Sequence, residues 1–142
     1  MKYPALFEPA EEGGFVITFP DWGWGVSQGE DEEDARSMAA DALETMIAHS
    51  IKHGKPVPAP GAAKGRKVRM IALPAMVSLK TELYIAFKDS GITKTALAQK
   101  LGIPKTTVDR LFDFRNHTRL DQMEAAFAVL GKRIDLEVKN AA

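Results

Sequence analysis

The chain has 142 residues, enough for one domain or two small ones, with 45% hydrophobic and 27% charged residues, as is ordinary for a globular protein. The lack of cysteine excludes disulfides, a thiol nucleophile and thiolate metal sites. No apolar run is long enough to cross a membrane, and the N-terminal residues lack the apolar centre of a signal peptide. We therefore expect a cytoplasmic protein with no membrane partner.

The net charge of zero hides an asymmetry between the two halves of the chain. Residues 1–60 carry eleven Asp or Glu against four Lys or Arg, a net charge of −7. Residues 61–142 carry fifteen Lys or Arg against eight Asp or Glu, a net charge of +7. An acidic half suits a basic protein partner and a basic half suits a phosphate backbone, although charge that merely drifts along the chain is the simpler alternative.

The acidic half predicts a small sheet with one helix. Alternating apolar residues indicate three strands, over 2–8, 15–19 and about 25–28. Asp31 is a good N-cap for a helix that Gly54 ends, and a fourth strand is predicted over 68–74. The order β-β-β-α-β indicates an α+β layer in which the helix covers one face of the sheet.

Two features of this half could indicate chemistry, and neither does so strongly. Three glycines precede an acidic run over 30–34, but they lack the P-loop lysine and the dinucleotide-binding spacing. Consecutive carboxylates at a helix start point in different directions, and the strands add only Glu8 and Asp21. His49 and His53, without a third ligand, are more simply surface histidines than a metal site. The sequence therefore predicts no enzyme, no metal site and no cofactor.

The basic half predicts four helices and then a strand. The helices are expected over 75–90, 94–101, 104–112 and 120–130, and Leu120, Met123, Phe127 and Leu130 should face inward in the last one. Over 132–139, apolar residues alternate with Asp135 and Glu137, which predicts a single strand. Such a strand could pair with its copy in a two-fold dimer, or pack on its own domain.

In the two middle helices, a small Ala98, a turn at Gly102 and an apolar Val108 have the spacing that a helix-turn-helix requires. Over 94–113 the chain therefore resembles the helix-turn-helix of the lambda-repressor and Cro superfamily. The apolar residues predicted to face the core are Leu97, Leu101, Ile103, Val108 and Leu111. A plain helical hairpin is the alternative, but the outward residues of the second helix are types that reach bases and phosphates. The candidate DNA-binding residues are Lys94, Thr95, Lys105, Thr106, Thr107, Arg110, Arg115 and Asn116, whereas Asp109 is expected to pair with Arg110 or a neighbour, or to accept from a cytosine.

Two motifs lie in the acidic half, a GG-F-x-x-x-F-P-D strand from Gly13 to Asp21 and an S/T-Q-G-x-x-x-x-x-A segment from Ser27 to Ala35. With these motifs and the order of its elements, the whole chain resembles the HicB family of antitoxins from bacterial HicA–HicB toxin–antitoxin pairs. The resemblance implies a truncated RNase H-like domain that blocks a small basic toxin, HicA, which cleaves mRNA with a histidine. It also implies a C-terminal domain that binds operator DNA and represses the operon, usually as a dimer or higher oligomer. We place these domains at 1–73 and 74–142.

The residues that contact a toxin are less well marked. Many relatives have F-P-D-L-P-G where this chain has FPDWGWG, so Trp22 and Trp24 are either toxin contacts particular to this chain or residues packed under the sheet edge. The carboxylates of Asp31, Glu32 and Asp34 are further candidates for attracting a basic toxin. A repressor whose N-terminal domain binds a small molecule is the alternative function.

Overall fold

A computed structural model describes residues 1–141 and has a mixed α+β architecture. Four strands form one antiparallel sheet in the order β3-β2-β1-β4. The strands are β1 (Lys2–Pro9), β2 (Phe15–Thr18), β3 (Val26–Gly29) and β4 (Val68–Ala72). The helices are α1 (Glu32–Lys52), α2 (Ala75–Ser90), α3 (Lys94–Leu101), α4 (Lys105–Leu111) and α5 (Leu120–Val129). The predicted order β-β-β-α-β followed by helices is confirmed.

The sheet has one face that is covered by α1. Tyr3, Ala5 and Phe7 alternate along β1 and are fully buried, as their spacing predicts, and Phe7 lies opposite Ile17 of β2. These side chains meet the apolar stripe of α1, which consists of Ala35, Ala39, Leu43 and Ile47.

Helix α1 begins where the sequence predicts and lies very close to the third strand. The Asp31 side chain caps the helix by accepting a hydrogen bond from the backbone N–H of Asp34 at 2.8 Å. A Cβ atom at Gly29 would collide with the backbone of Ala35, so glycine is needed there to let the start of α1 cross the end of β3.

Helices α2 to α5 enclose a second group of buried side chains, which includes Leu83, Leu97, Val108 and Met123. Leu120 was expected to face inward, but it is exposed, because it is the first residue of α5 and lies beyond the stripe formed by Met123 and Phe127.

The segment between α1 and β4 joins the two groups of elements. The Tyr3 hydroxyl donates to the carbonyl of Pro58 at 2.7 Å, and the Tyr84 hydroxyl of α2 donates to the carbonyl of Lys55 at 2.8 Å. Burial raises the pKa of both tyrosines. The segment therefore follows a defined path although it forms no helix or strand over 55–64.

The predicted C-terminal strand is wrong for the single chain. Residues 132–141 form neither strand nor helix, and Leu136 and Val138 are exposed. The alternation that predicts a strand needs a partner edge for its backbone groups, and none of the four described strands lies beside this segment. Among residues 1–141, no helix has the length and apolar character that a membrane crossing requires.

Candidate functional site

The pair of helices α3 and α4 presents a polar outer face, and buried side chains between the two helices support it. Thr93 caps α3 by accepting from the backbone N–H of Ala96 at 3.0 Å. Gly102 ends α3 with a φ of 65°, a left-handed conformation that favours glycine. Leu97 and Val108 are fully buried where the two helices meet. The spacing that suggested two helices and a glycine turn is therefore found in the structure.

Helix α4 carries four of the eight residues that were predicted to reach DNA. Lys105, Thr106 and Arg110 are exposed, whereas Thr107 is half-buried against the support. Thr95 is exposed at the start of α3, beside this face. The structure thus brings together cationic and hydroxyl side chains in the types and spacing that suit bases and phosphates.

Lys94 and Asp109 form an ion pair between the two helices. The Lys94 ammonium lies 2.8 Å from the Asp109 carboxylate, and both side chains are partly exposed. Asp109 thus has an ion-pair partner, as expected, but the partner is Lys94 of α3 and not Arg110, the residue next to it. Because the pair is solvent-exposed, it holds Lys94 only weakly and leaves its charge at the surface.

Lys80 is a buried cation that the sequence analysis did not single out. It lies on the apolar stripe of α2 and is 0% exposed. Its ammonium donates to three backbone carbonyls, those of Arg110 at 2.9 Å, Asp113 at 2.7 Å and Asn116 at 2.8 Å. Lys80 therefore fastens the end of α4 and the following loop to α2. Its position between Val77 and Tyr84 on a helical stripe is the signal that could have identified it.

The loop after α4 holds the last two DNA-binding candidates. The Arg115 guanidinium binds the Asp113 carboxylate at 3.2 Å, and this bond, with one from the Arg115 backbone N–H, lowers the pKa of Asp113. The Arg115 side chain is nonetheless 92% exposed. Asn116 is half-buried, and its carbonyl is one of the acceptors of Lys80.

The two tryptophans predicted as toxin contacts occupy different environments. Trp22 is half-buried on Tyr3, with ring centroids 5.8 Å apart, and its indole nitrogen is buried without a hydrogen-bond partner among the described residues. Trp24 is 50% exposed and packs edge-on against Trp22 and against His49 of α1. His49 lies in turn 4.4 Å from His53. Trp22 therefore packs against the core, and Trp24 is the more exposed of the two tryptophans.

The three carboxylates predicted to contact a toxin already have partners at or near the start of α1. Asp31 caps the helix, and Asp34 accepts from the backbone N–H of Glu30 at 2.8 Å. Glu32 binds the Arg69 guanidinium of β4 at 2.6 Å. These carboxylates stabilise the helix start, yet all three remain exposed and keep their charge at the surface.

The predicted toxin-binding residues do not form one cluster. Glu32 and His49, the neighbour of Trp24, are seventeen residues apart on one helix, which corresponds to about 25 Å at 1.5 Å per residue. A single small partner would have to lie along the length of α1 to touch both ends.

A groove separates the end of α1 from the α3–α4 pair. It encloses about 610 Å³ and is lined by His49 and Lys52 on one side and by Lys94, Asp109 and Arg115 on the other. Two of the DNA-binding candidates, Lys94 and Arg115, therefore lie beside Lys52, a cationic residue of the acidic half.

The carboxylates considered for catalysis have structural partners. Glu8 binds Lys67 at 2.8 Å, and Asp21 accepts from the backbone N–H of Gly61 at 2.9 Å. Within residues 1–141, no three His, Cys, Asp or Glu residues are grouped so that they could hold a metal ion.

Comparison with known proteins identifies the family of this chain. Residues 2–82 match the family described as HicB-like antitoxin of bacterial toxin–antitoxin systems. Antitoxin HicB 1 of Photorhabdus laumondii subsp. laumondii is 34% identical over 139 residues, which cover 98% of this chain and 88% of that protein. Antitoxin HicB of Escherichia coli K12 is 34% identical over 136 residues, which cover 96% of this chain and 98% of that protein.

A chain of a solved toxin–antitoxin complex from Streptococcus pneumoniae is similar with a TM-score of 0.45 and 18% identity, over 75% of this chain and 92% of that one. The family match over more than half of the chain, together with relatives that align along nearly all of it, is sufficient to assign the family. The chain belongs to the HicB-like family of bacterial antitoxins.

Proposed function

We propose that this protein neutralises a small basic HicA-type toxin through residues 1–73 and represses its own operon through residues 74–142. The observation that carries the proposal is the alignment with HicB antitoxins along nearly the whole chain, the helix pair included. The protein acts in the cytoplasm by binding and has no catalytic role of its own.

The DNA-binding part of the proposal rests on the exposed face of α4. We assign α3 and α4 as a helix-turn-helix of the lambda-repressor and Cro type, in which α4 enters the major groove. Lys105 and Arg110 suit guanine edges, and Thr106 suits a thymine methyl group or an acceptor. Thr95 and Arg115 flank this face and are the candidate phosphate contacts, with Lys94, Thr107 and Asn116 at its margin.

The toxin-binding part rests on the charge and exposed apolar surface of the acidic half. A net charge of −7 over residues 1–60 attracts a basic protein and raises the rate at which the two meet. Trp24 supplies an exposed aromatic anchor of the kind that concentrates binding energy. The β-β-β-α-β order of this half fits the truncated RNase H-like fold that the family resemblance implies.

The C-terminal tail supports assembly into a dimer. Leu136 and Val138 alternate with polar residues and are exposed. Pairing of residues 132–139 with the same segment of a second copy would complete the strand and cover both side chains. A two-fold dimer formed in this way presents two copies of α4 to a palindromic operator.

The test separates the two activities in one set of variants. Arg110→Ala should weaken binding to a fluorescent operator fragment while the variant still protects cells from the co-expressed toxin. Trp24→Ala should do the reverse. Loss of both activities in either variant, at unchanged unfolding free energy, would contradict the two-part assignment. If the wild-type protein bound the operator but gave no protection from the toxin, the result would point to a ligand-sensing repressor.

A further inference from the structure

Strand β3 lies at one edge of the sheet, and the pairing of the other strands shows which of its backbone groups point away from the sheet. The N–H of Ala10 donates to the carbonyl of Gly14, and the N–H of Phe7 donates to the carbonyl of Lys67 beside β4. Hydrogen-bonded and non-bonded pairs alternate along antiparallel strands. The even-numbered residues of β1 therefore point their backbone groups at β2, and the odd-numbered residues point theirs at β4.

The same alternation passes through β2 to the edge. Phe15 and Ile17 point their backbone groups at β3, where their partners are Gly29 and Ser27. The N–H and C=O groups of the remaining β3 residues, Val26 and Gln28, consequently point away from the sheet. No described strand pairs with them on that side.

This edge lacks the usual protection against strand pairing. The sequence of β3 is VSQG, with no charged residue and no proline, and Val26 is 72% exposed. The opposite edge strand carries Arg69, which is engaged with Glu32 of α1, and is followed closely by Pro74. Sheets normally shield their edges with such charges and prolines, so β3 stands out as an open edge.

The open edge is bordered by carboxylates and by apolar side chains. A cleft of about 740 Å³ next to Gln28 is lined by Glu11, Glu12, Glu30 and Asp34. The apolar side chains of Val16 and Met38 lie in the same cleft and are each 39% or more exposed. Trp24 lies just beyond the other end of the strand. The edge thus has outward backbone groups, carboxylates near Gln28 and exposed apolar side chains at both of its ends.

We propose that β3 receives an added strand from a basic protein partner, with Lys or Arg side chains of that strand in the carboxylate cleft. The inference rests on the proposed antitoxin function and specifies where the toxin docks. Strand addition draws affinity from backbone hydrogen bonds at Val26 and Gln28, and flanking side chains select the partner. The same edge of a second copy is the less suitable occupant, because residues 1–60 carry a net charge of −7 and would face the same charge.

The experiment follows backbone amide exchange at β3. In the free protein, the amides of Ser27 and Gly29 should be protected and those of Val26 and Gln28 should exchange freely. Addition of the small basic protein encoded in the same operon, inactivated by mutation, should slow exchange at Val26 and Gln28 by at least tenfold. Gln28→Pro should weaken binding of that protein by at least tenfold, because it removes an outward N–H and none of those that bond to β2. Gln28→Ala keeps the N–H and should change affinity by less than threefold.

The outcomes distinguish this inference from the function on which it rests. Tight binding of the partner with unchanged exchange at Val26 and Gln28 would overturn the strand-addition inference and leave the antitoxin function intact. Failure of the wild-type protein to bind the partner would overturn both. Protection of these amides that appears only as the protein's own concentration rises would assign the edge to a second copy and would also overturn the inference.

Discussion

Lys80→Met tests whether a buried ammonium holds α4 in place. Methionine matches the length and the apolar stem of lysine but cannot donate hydrogen bonds. The substitution leaves the carbonyls of Arg110, Asp113 and Asn116 without their shared donor in the interior of the helical part. The end of α4 and the loop that presents Arg115 should therefore lose their attachment to α2.

The magnitude follows from the number of bonds and from the opposing cost of burial. A hydrogen bond to a charged group contributes about 1.5–3 kcal/mol, so three of them give a gross contribution of about 4–9 kcal/mol. Burial lowers the pKa of Lys80, only partly opposed by the Asp113 carboxylate, which shows that holding the charged form inside is costly. Since the methionine variant avoids that cost, we expect a net loss of about 2–4 kcal/mol in unfolding free energy.

Urea unfolding, followed by circular dichroism and by tryptophan fluorescence, measures this loss of unfolding free energy. Far-ultraviolet circular dichroism includes helices α2 to α5, whereas tryptophan fluorescence reports only Trp22 and Trp24 beside the sheet. Lys80→Met should lower the midpoint seen by circular dichroism and reduce operator affinity. Lys100→Met, the same change at an exposed position of α3, should alter the unfolding free energy by less than about 0.5 kcal/mol. A Lys80 variant as stable as wild type would refute the anchoring role.

Three further predictions concern other parts of the molecule. Because burial raises the pKa of Tyr3 and Tyr84, absorbance at 295 nm should show that neither tyrosine ionises near pH 10 while the protein is folded. The contribution of these two groups to the free energy of unfolding is fully present below about pH 10 and falls above it, because the unfolded chain then loses the protons first. Ionisation of both tyrosines near pH 10 without unfolding would contradict this prediction. Trp24→Ala should weaken toxin binding at least tenfold by calorimetry with little loss of stability, whereas Trp22→Ala should lower the unfolding free energy by about 2–3 kcal/mol; equal effects on stability would be contrary evidence. Lys52→Gln should reduce the slope of log affinity for DNA against log salt by about 0.9, measured by fluorescence anisotropy, and an unchanged slope would place the DNA away from the groove.

The features that the sequence predicted well are those that depend on near neighbours in the chain. Asp31 caps α1 through a backbone N–H group three residues ahead, and Gly102 ends α3 through its own backbone conformation. The alternation along β1 likewise reports which face of a strand is buried. Each of these features depends only on residues a few positions apart, so composition and spacing are enough to predict it.

The features that were missed depend on contacts between distant segments. In the sequence Lys80 looks like any other lysine, because the carbonyls that it binds lie thirty or more residues later in the chain. The pairing of Lys94 with Asp109 could be expected only as one of several choices, because the angle between α3 and α4 decides which cation lies near. The tail over 132–139 has the pattern of a strand, but a pattern cannot supply the second strand that the backbone needs.

The two proposed partners also have to share one helix. Helix α1 carries Glu32 and other carboxylates in its first turn, and His49 and Lys52 in its last turn beside the groove. The change from acidic to basic surface therefore occurs along α1, inside the acidic half of the sequence, and not at its boundary. The helix is about 30 Å long, three times the screening length of about 10 Å in 0.1 M salt. Charges in the carboxylate cleft and charges at the groove are therefore largely screened from each other. A toxin that also contacts Trp24 would instead lie beside His49, which lines the groove, so an effect of one partner on the affinity of the other is expected at the Trp24–His49 contact.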